Sequence, residues 1–326
     1  MARDSRIDSI KGLLIILVIL GHMITCLNNT NFINHGVMGL IYIFHMPLFI
    51  LISGYLTKNP EQQSARSMWK GIWKIFVPMF IFHLISTLRV WYYNDNFLET
   101  FTVKFPYGIL WYLISLIWWR ILLYFTPRSL LRRPALYLGI AVAASLLIGV
   151  VHVPPYLSLR RTVNFYIFFL MGYYYRQGLI SKSLWQNNKL HIAVVVVLLP
   201  LIFWLFPRCG NIMNGADYYG FQGLPQKAMI LTCSIFMSLL VFNMTRYNKL
   251  LCFIGTDSLF YYLYHQHIID FVFRINIKYY SLPTTFPFIV LYTAGAVGIL
   301  LLMHKFKFFR WFVHPTLNFS NKSKSD

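Results

Sequence analysis

Ten apolar runs divide this chain of 326 residues. A helix of about 20 apolar residues crosses the hydrocarbon core of a bilayer. Lipid offers no hydrogen bonds, so only helices or closed barrels satisfy the backbone there, and the alternating pattern of a barrel does not recur. We therefore predict an all-α fold, a polytopic membrane helix bundle of about ten transmembrane helices. The predicted spans are 10–27, 37–57, 71–92, 106–125, 134–152, 162–178, 189–207, 227–245, 252–274 and 286–306.

The composition supports a membrane protein. Hydrophobic residues make up 58% of the chain and charged residues only 12%, whereas a soluble domain is about one quarter charged. The formal net charge of +20 comes mostly from short gaps between the apolar runs. That placement is typical of residues that orient a protein in the bilayer and contact anionic lipid. We predict the lipid bilayer as a partner and no nucleic acid.

The basic gaps also predict the orientation. A cytoplasmic N-terminus places most of the lysines and arginines in inside loops, as the positive-inside rule requires. An even number of spans then returns the C-terminus to the cytoplasm. The inside segments contain Arg3, Arg6, Lys11, Lys58, Arg66, Lys70, Arg128, Arg132, Arg133, Arg176, Lys182, Lys189, Arg246 and Lys249.

No linker, repeat or low-complexity segment indicates a second domain. We predict a single membrane domain over residues 1–326, with a cytoplasmic tail of about 307–326 and no cleavable signal. The longest outside loop, 207–226, is expected to be either a cover for an outward-facing site or a flexible connector. No metal site is predicted, because metal spacing is lacking among Cys26, Cys209, Cys233 and Cys252.

Polar residues interrupt the first apolar run. Asp8, Lys11 and His22 fall within roughly 60° of one another on a helix, and His22 lies roughly 16 Å beyond Lys11. Ionisable side chains are costly inside a membrane and usually functional. This polar stripe therefore predicts chemistry or transport near the bilayer midplane.

Two other runs carry histidine at a similar depth. His45 lies roughly 12 Å below the outer end of the second span, and His265 lies roughly 20 Å from the inner end of the ninth. Each histidine has a structural alternative, a satisfied hydrogen bond between helices. Ser53 and Gly54 near the end of the second span would let a helix or a ligand approach closely.

Four motifs resemble those of the acyltransferase 3 family of integral membrane acyltransferases, over essentially the whole chain. The first is Arg6-Ile7-Asp8-Ser9-Ile10-Lys11-Gly12 followed by His22. The second, whose form is closest to the branch described as fucose 4-O-acetylase-like, is Phe44-His45-Met46-Pro47-Leu48-Phe49 with Ser53-Gly54-Tyr55. The others are Phe169-Leu170-Met171-Gly172-Tyr173-Tyr174, and Ile254-Gly255-Thr256-Asp257-Ser258-Leu259 with Tyr264-His265.

This resemblance implies transfer of an acyl group, usually acetyl, from cytoplasmic acyl-CoA to a hydroxyl of a cell-surface glycan or its lipid-linked precursor. It implies a multi-pass protein of the bacterial inner membrane, with acyl-CoA as a co-substrate and no bound cofactor. His22 matches the family's essential histidine, and Arg6 and Lys11 match its leading basic positions. Lys11 is a departure, because the family more often has arginine there.

The hypothesis is that His22 acts as general base, aided by His45 or His265. The acyl-CoA head group is predicted at Arg6, Lys11, Lys70, Lys74 and Arg120. Further candidates for contact with the substrate or the oxyanion are Asp8, Ser53, Gly54, Tyr55, Arg160 and Arg161. A multispan transporter or flippase with a histidine proton relay is the alternative. The sequence leaves open the acceptor, the length of the acyl group, an acyl-histidine intermediate and the oligomeric state.

Overall fold

A computed structural model describes residues 4–27, 32–94, 106, 108–150, 153, 156–205, 223–279 and 283–315. Every regular element in this part of the chain is helical, and it contains no strand. The predicted all-α fold is thus confirmed. The helices are α1 Ser5–Cys26, α2 Phe32–Tyr55, α3 Ala65–Asn94, α4 Trp111–Phe125, α5 Arg128–Leu131, α6 Pro134–Leu147, α7 Leu159–Arg176, α8 Lys182–Trp185, α9 Asn188–Leu205, α10 Leu224–Met244, α11 Lys249–Thr256, α12 Ser258–Tyr279, α13 Phe286–Lys305 and α14 Lys307–Val313.

Six of the described helices are long and apolar enough to cross a membrane: α1, α2, α3, α4, α10 and α13. Helices α6 and α9 are apolar but shorter. Helices α7 and α12 coincide with the sixth and ninth predicted spans and carry charged residues such as Arg161 and Asp270. The polytopic bundle is confirmed, while the count of ten crossings and the side of each terminus stay predictions. Most of the loop 207–226 and the tail beyond residue 315 lie outside the described residues.

Helices α1 and α2 lie at the centre of the bundle. Helix α1 contacts α2, α11, α12 and α13, and α2 also contacts α7 and α10. Along α1, buried apolar side chains such as Leu14, Ile19 and Ile24 lie on different faces of the helix. A helix that is hydrophobic all round is one that other helices surround. The first two apolar runs are therefore the core around which the bundle is built.

Glycines bring α1 and α11 into backbone contact. A Cβ added at Gly12 would overlap the Leu251 carbonyl, and one added at Gly255 would overlap the Asp8 carbonyl. Small residues allow this closeness, which favours association of membrane helices through van der Waals contact. We call the pair Gly12 and Gly255 the first glycine crossing.

A second glycine crossing joins α2 and α7. A Cβ at Gly54 would overlap the Phe169 carbonyl, and one at Gly172 would overlap the Leu51 carbonyl. The sequence allowed either a helix or a ligand to approach Gly54, and the structure shows that a helix does so. The two crossings thus fix α1 against α11 and α2 against α7.

The segment after α13 folds back onto the bundle. The Tyr264 hydroxyl donates to the Phe309 carbonyl at 3.0 Å, and Val313 is buried. Asp257, between α11 and α12, accepts from His304 Nε2 at 3.0 Å and from His314 Nε2 at 2.8 Å. The hydrogen bond to Asp257 raises the pKa of His314 above its usual value. The first part of the predicted tail, 307–313, is therefore a helix held against α12.

Substitution at a crossing tests this packing. We expect Gly172→Ala to lower the melting temperature of the purified protein by several degrees, because a methyl group there overlaps backbone atoms that cannot rotate away. Gly139→Ala is the matched control, since a Cβ at Gly139 meets nothing within 4 Å and alanine favours helix. Equal melting temperatures for the two variants would contradict the crossing.

The attachment of α14 should depend on pH. Because the pKa of His314 is raised in the folded state, its stabilising contribution is complete below the ordinary histidine pKa, about 6.5. That contribution is lost as the pH rises through the raised value. Hydrogen-exchange protection in 308–313, corrected for intrinsic rates, should fall modestly between pH 5.5 and 8.5. In His314→Gln the fall should disappear; an unchanged profile would contradict the pairing.

Candidate functional site

Three helices bring the three predicted histidines together. The rings of His22 from α1 and His265 from α12 have centroids 5.4 Å apart. His45 from α2 is within electrostatic range of His22. His45 and His265 are buried, whereas His22 keeps part of its surface accessible. Of the three, His22 is therefore the most accessible.

Backbone carbonyls fix the proton positions on two of these rings. His45 Nδ1 lies 2.8 Å from the Ile41 carbonyl, and His265 Nδ1 lies 2.6 Å from the Tyr262 carbonyl. A carbonyl only accepts hydrogen bonds, so Nδ1 carries the proton in both residues, and Nε2 of the neutral ring is an acceptor. Among the described residues, His265 Nε2 is buried without a hydrogen-bond partner. A buried acceptor beside His22 is thus available to a hydroxyl or another proton donor.

Arg161 of α7 supplies a positive charge next to the histidines. Its guanidinium is within electrostatic range of His22, Tyr42 and Tyr262 and lies 5.1 Å from the centre of the Trp111 ring. The neighbouring Arg160 instead donates to the Val153 carbonyl at 2.6 Å. The sequence treated the two arginines alike, because only the packing of α7 distinguishes their directions.

Hydroxyl groups line another side of the site. Thr25 Oγ1 lies 3.3 Å from the Tyr42 hydroxyl and donates to the Gly21 carbonyl at 2.9 Å. Thr25 is exposed and Tyr42 is partly accessible. The accessible edge of His22 therefore continues into a polar surface made by α1 and α2.

A basic cavity of about 260 Å³ lies at the other end of α2 and α4. It is lined by the segment that follows α2, the first turns of α3 and the last turns of α4. Lys70, Lys74 and Arg120, predicted to bind acyl-CoA, meet in this cavity, and Lys58 joins them. The sequence missed Lys58, which the charge of its loop alone does not distinguish from other basic residues.

The two other predicted acyl-CoA ligands do not line this cavity. Arg6 donates from Nε to the Thr245 carbonyl at 3.0 Å and from Nη2 to the Phe242 carbonyl. It therefore caps the C-terminal end of α10, where a cation is favourable. Lys11 pairs with buried Asp8 at 2.7 Å, a contact that their spacing on one face of α1 predicts.

The remaining predicted residues lie on α2. Ser53 Oγ donates to the Phe49 carbonyl at 2.9 Å and lies 2.7 Å from the Tyr112 hydroxyl. Gly54 belongs to the second glycine crossing, and the Tyr55 carbonyl accepts from Arg176 at 2.9 Å. Of these three, Ser53 is the one whose side chain is hydrogen-bonded to Tyr112.

Aromatic residues connect the cavity to the histidines. Tyr112 of α4 is within electrostatic range of Arg120. Its ring centroid is 5.5 Å from that of Tyr262, which in turn is 5.7 Å from that of His265. Sequence reasoning missed Tyr112 and Tyr262 as links, because aromatic residues are common throughout the chain and no motif distinguishes these two.

Comparison with known proteins identifies the family. Residues 4–305 match the family described as Acyltransferase domain, known as acyltransferase 3. A nodulation protein NolL from Mesorhizobium japonicum is 29% identical over 216 residues, which cover 61% of this chain and 54% of that protein. A nodulation protein NolL from Sinorhizobium fredii is 37% identical over 94 residues, 27% of this chain and 26% of that protein. The matches thus span about half or less of these relatives, and no solved structure matches the chain.

Proposed function

This chain belongs to the acyltransferase 3 family, and we propose that it is an O-acyltransferase that moves an acetyl group from acyl-CoA to a glycan hydroxyl. Membership in the family makes it a membrane acyltransferase with an acyl donor and an acyl acceptor. The observation that carries the finer proposal is the accessible His22 beside the unpartnered Nε2 of His265, linked by aromatic residues to a basic cavity.

The donor head group suits the basic cavity. Coenzyme A carries several phosphates, and Lys58, Lys70, Lys74 and Arg120 line one space that these phosphates would fill. Hydrogen bonds between ionised partners are roughly twice as strong as neutral ones. The thin arm of the donor would then extend along α4 toward His22 and His265.

In the reaction, the acceptor hydroxyl loses its proton to His22 as its oxygen attacks the thioester carbonyl. A carbon–oxygen bond forms, the carbon–sulfur bond breaks, and the leaving thiolate takes the proton back from His22 to give free CoA. Arg161 is near enough to His22 to stabilise charge on the carbonyl oxygen. His265 Nε2 would accept a hydrogen bond from the acceptor or from His22 and so orient the reacting groups.

The acceptor is proposed to arrive at the opposite side, over Thr25 and Tyr42. Both hydroxyls are accessible and hydrogen-bonded to one another, and such groups suit a sugar. Their position next to His22 lets donor and acceptor approach the base from different ends. A bacterial inner-membrane location and a cell-surface glycan acceptor accord with this arrangement.

Replacement of His22 tests the proposed base. His22→Ala should lower the rate of acetyl transfer by about 10²- to 10⁴-fold, the usual contribution of a positioned base, at an unchanged protein level. The matched control is His191→Ala, because His191 is buried in α9 and bonded to the Leu184 carbonyl, away from the three histidines. Retained glycan O-acetylation in His22→Ala would contradict the assignment. A purified protein that never consumes acetyl-CoA would instead favour a transporter.

Replacement of two lysines tests the donor site. Lys70→Gln combined with Lys74→Gln should raise KM for acetyl-CoA by about tenfold or more, because each lost charge-assisted bond weakens binding. The value of kcat should change little. Lys182→Gln combined with Lys189→Gln is the control, since both lysines are exposed and outside the cavity. Equal KM values for the two double variants would contradict donor binding in the basic cavity.

A further inference from the structure

The amide of Asn164 is the centre of a buried hydrogen-bond network that joins three helices. Lys227 of α10 donates from Nζ to Asn164 Oδ1. Ser145 of α6 shares its hydroxyl proton between the Asn164 backbone carbonyl at 2.9 Å and Oδ1 at 3.1 Å. All three residues are buried, and Lys227 exposes only 1% of its surface. The network therefore ties α7 to both α6 and α10.

Lys227 is an unexpected residue at this position. It belongs to the first turn of α10, which begins at Leu224, and a cation is unfavourable at the N-terminal end of a helix. Burial also removes its amino group from water, which costs free energy unless protein groups replace the lost hydrogen bonds. Helix stability thus gives no reason for a lysine here, and ionisable residues inside membrane proteins are usually functional.

The start of α7 depends on neighbouring helices for its direction. Leu157 and Ser158 precede it with φ of 51° and 55°, in the left-handed region that residues other than glycine rarely adopt. No side-chain hydrogen bond from Ser158 caps the helix. Facing α4, Thr162 Oγ1 lies 2.8 Å from Ser115 Oγ. The first turns of α7 are therefore held from two sides, through Thr162 and through Asn164.

The rotation of α7 about its axis decides which arginine meets His22. Arg160 and Arg161 point about 100° apart on the helix. The Arg161 guanidinium is the one that lies over the Trp111 ring and within electrostatic range of His22. Asn164 follows Arg161 by three residues, which is less than one turn. The bonds to Asn164 thus fix the rotation of the turn that carries Arg161.

We propose that Lys227, acting through Asn164, is a positioning residue that holds Arg161 beside His22. This inference rests on the proposed function, in which Arg161 stabilises charge on the thioester carbonyl oxygen. A group of that kind is effective only if it is already in place when the charge develops. Lys227 itself exchanges no proton in this role.

The rate of acetyl transfer by a Lys227→Met variant tests the inference. Methionine fills irregular space but cannot donate to Asn164. The value of kcat should fall about tenfold, because a small displacement caused by a mutation far from the chemistry slows the reaction. KM for acetyl-CoA should change little, since Lys227 does not line the basic cavity. The melting temperature should stay close to that of the wild type, because Asn164 Oδ1 keeps Ser145 as a donor.

A double-mutant cycle distinguishes positioning from a merely structural role. Arg161→Gln alone should lower kcat by about 10²- to 10³-fold, the usual loss when one stabilising donor is removed. Because coupled residues are not additive, adding Lys227→Met to Arg161→Gln should lower kcat by less than about twofold more. Ser145→Ala is the second variant in case Lys227→Met does not fold, since it removes the other donor to the same amide oxygen. It should lower kcat in the wild-type background but not in Arg161→Gln.

Asn243→Leu is the matched control. Asn243 also lies on α10 and donates to the Trp185 carbonyl at 2.8 Å, but it is at the opposite end of the helix from Lys227. Its replacement should change kcat by less than about twofold in either background.

A wild-type kcat in the folded Lys227 and Ser145 variants, or a further loss of about tenfold in the double variant, would overturn the inference while leaving acyl transfer intact. A wild-type enzyme that transfers no acyl group from any acyl-CoA would overturn the proposed function instead.

Discussion

The close approach of helix backbones at the two glycine crossings is the constraint on which the site depends. The first crossing joins α1 to α11, which runs into α12, and the second joins α2 to α7. His22 and His265 each lie ten residues beyond the glycine of their own segment, Gly12 and Gly255. In the second pair, His45 precedes Gly54 by nine residues and Arg161 precedes Gly172 by eleven. Along continuous helices this spacing places His22, His45 and Arg161 about 15 Å from a crossing, whereas His265 follows Gly255 across the break at Asp257.

The lysines of the basic cavity lie apart from the histidines and hydroxyl groups of the candidate site. The lysines lie in the exposed cavity, where water solvates them, and Arg6 and Lys11 are engaged with backbone carbonyls and a carboxylate near the same end. Hydroxyl groups lie beside the histidines, with Arg161 over the Trp111 ring as a nearby cation. A charge inside a membrane is expensive unless protein groups surround it. The position of Arg161 beside His22 and over the Trp111 ring therefore favours a functional role for its charge.

Much of the candidate site was predictable from the sequence, and there are physical reasons why the rest was not. Counting residues along apolar runs placed His22, His45 and His265 at similar depth, and the structure brings them together. The spacing on α1 likewise predicted the pair of Asp8 and Lys11. The direction in which a side chain points about its helix axis was not predictable. Arg160 and Arg161 are adjacent and identical in the sequence, and only the packing of α7 gives them different partners. Contacts between distant segments were not predictable either: Arg6 meets carbonyls more than 230 residues away.

The proposed sites for the acyl donor and the acceptor lie on different sides of His22. The basic cavity lies near the second glycine crossing, because Leu56 and Thr57 on its wall follow Gly54 by two and three residues. Thr25 and Tyr42 lie beyond His22 in the opposite sense along α1 and α2. A donor from the cavity and an acceptor over these hydroxyls would therefore meet at His22 from opposite sides. Tyr112 and its aromatic neighbours pack together between these two ends, so the arm of a donor bound in the basic cavity would have to pass between their rings to reach His22.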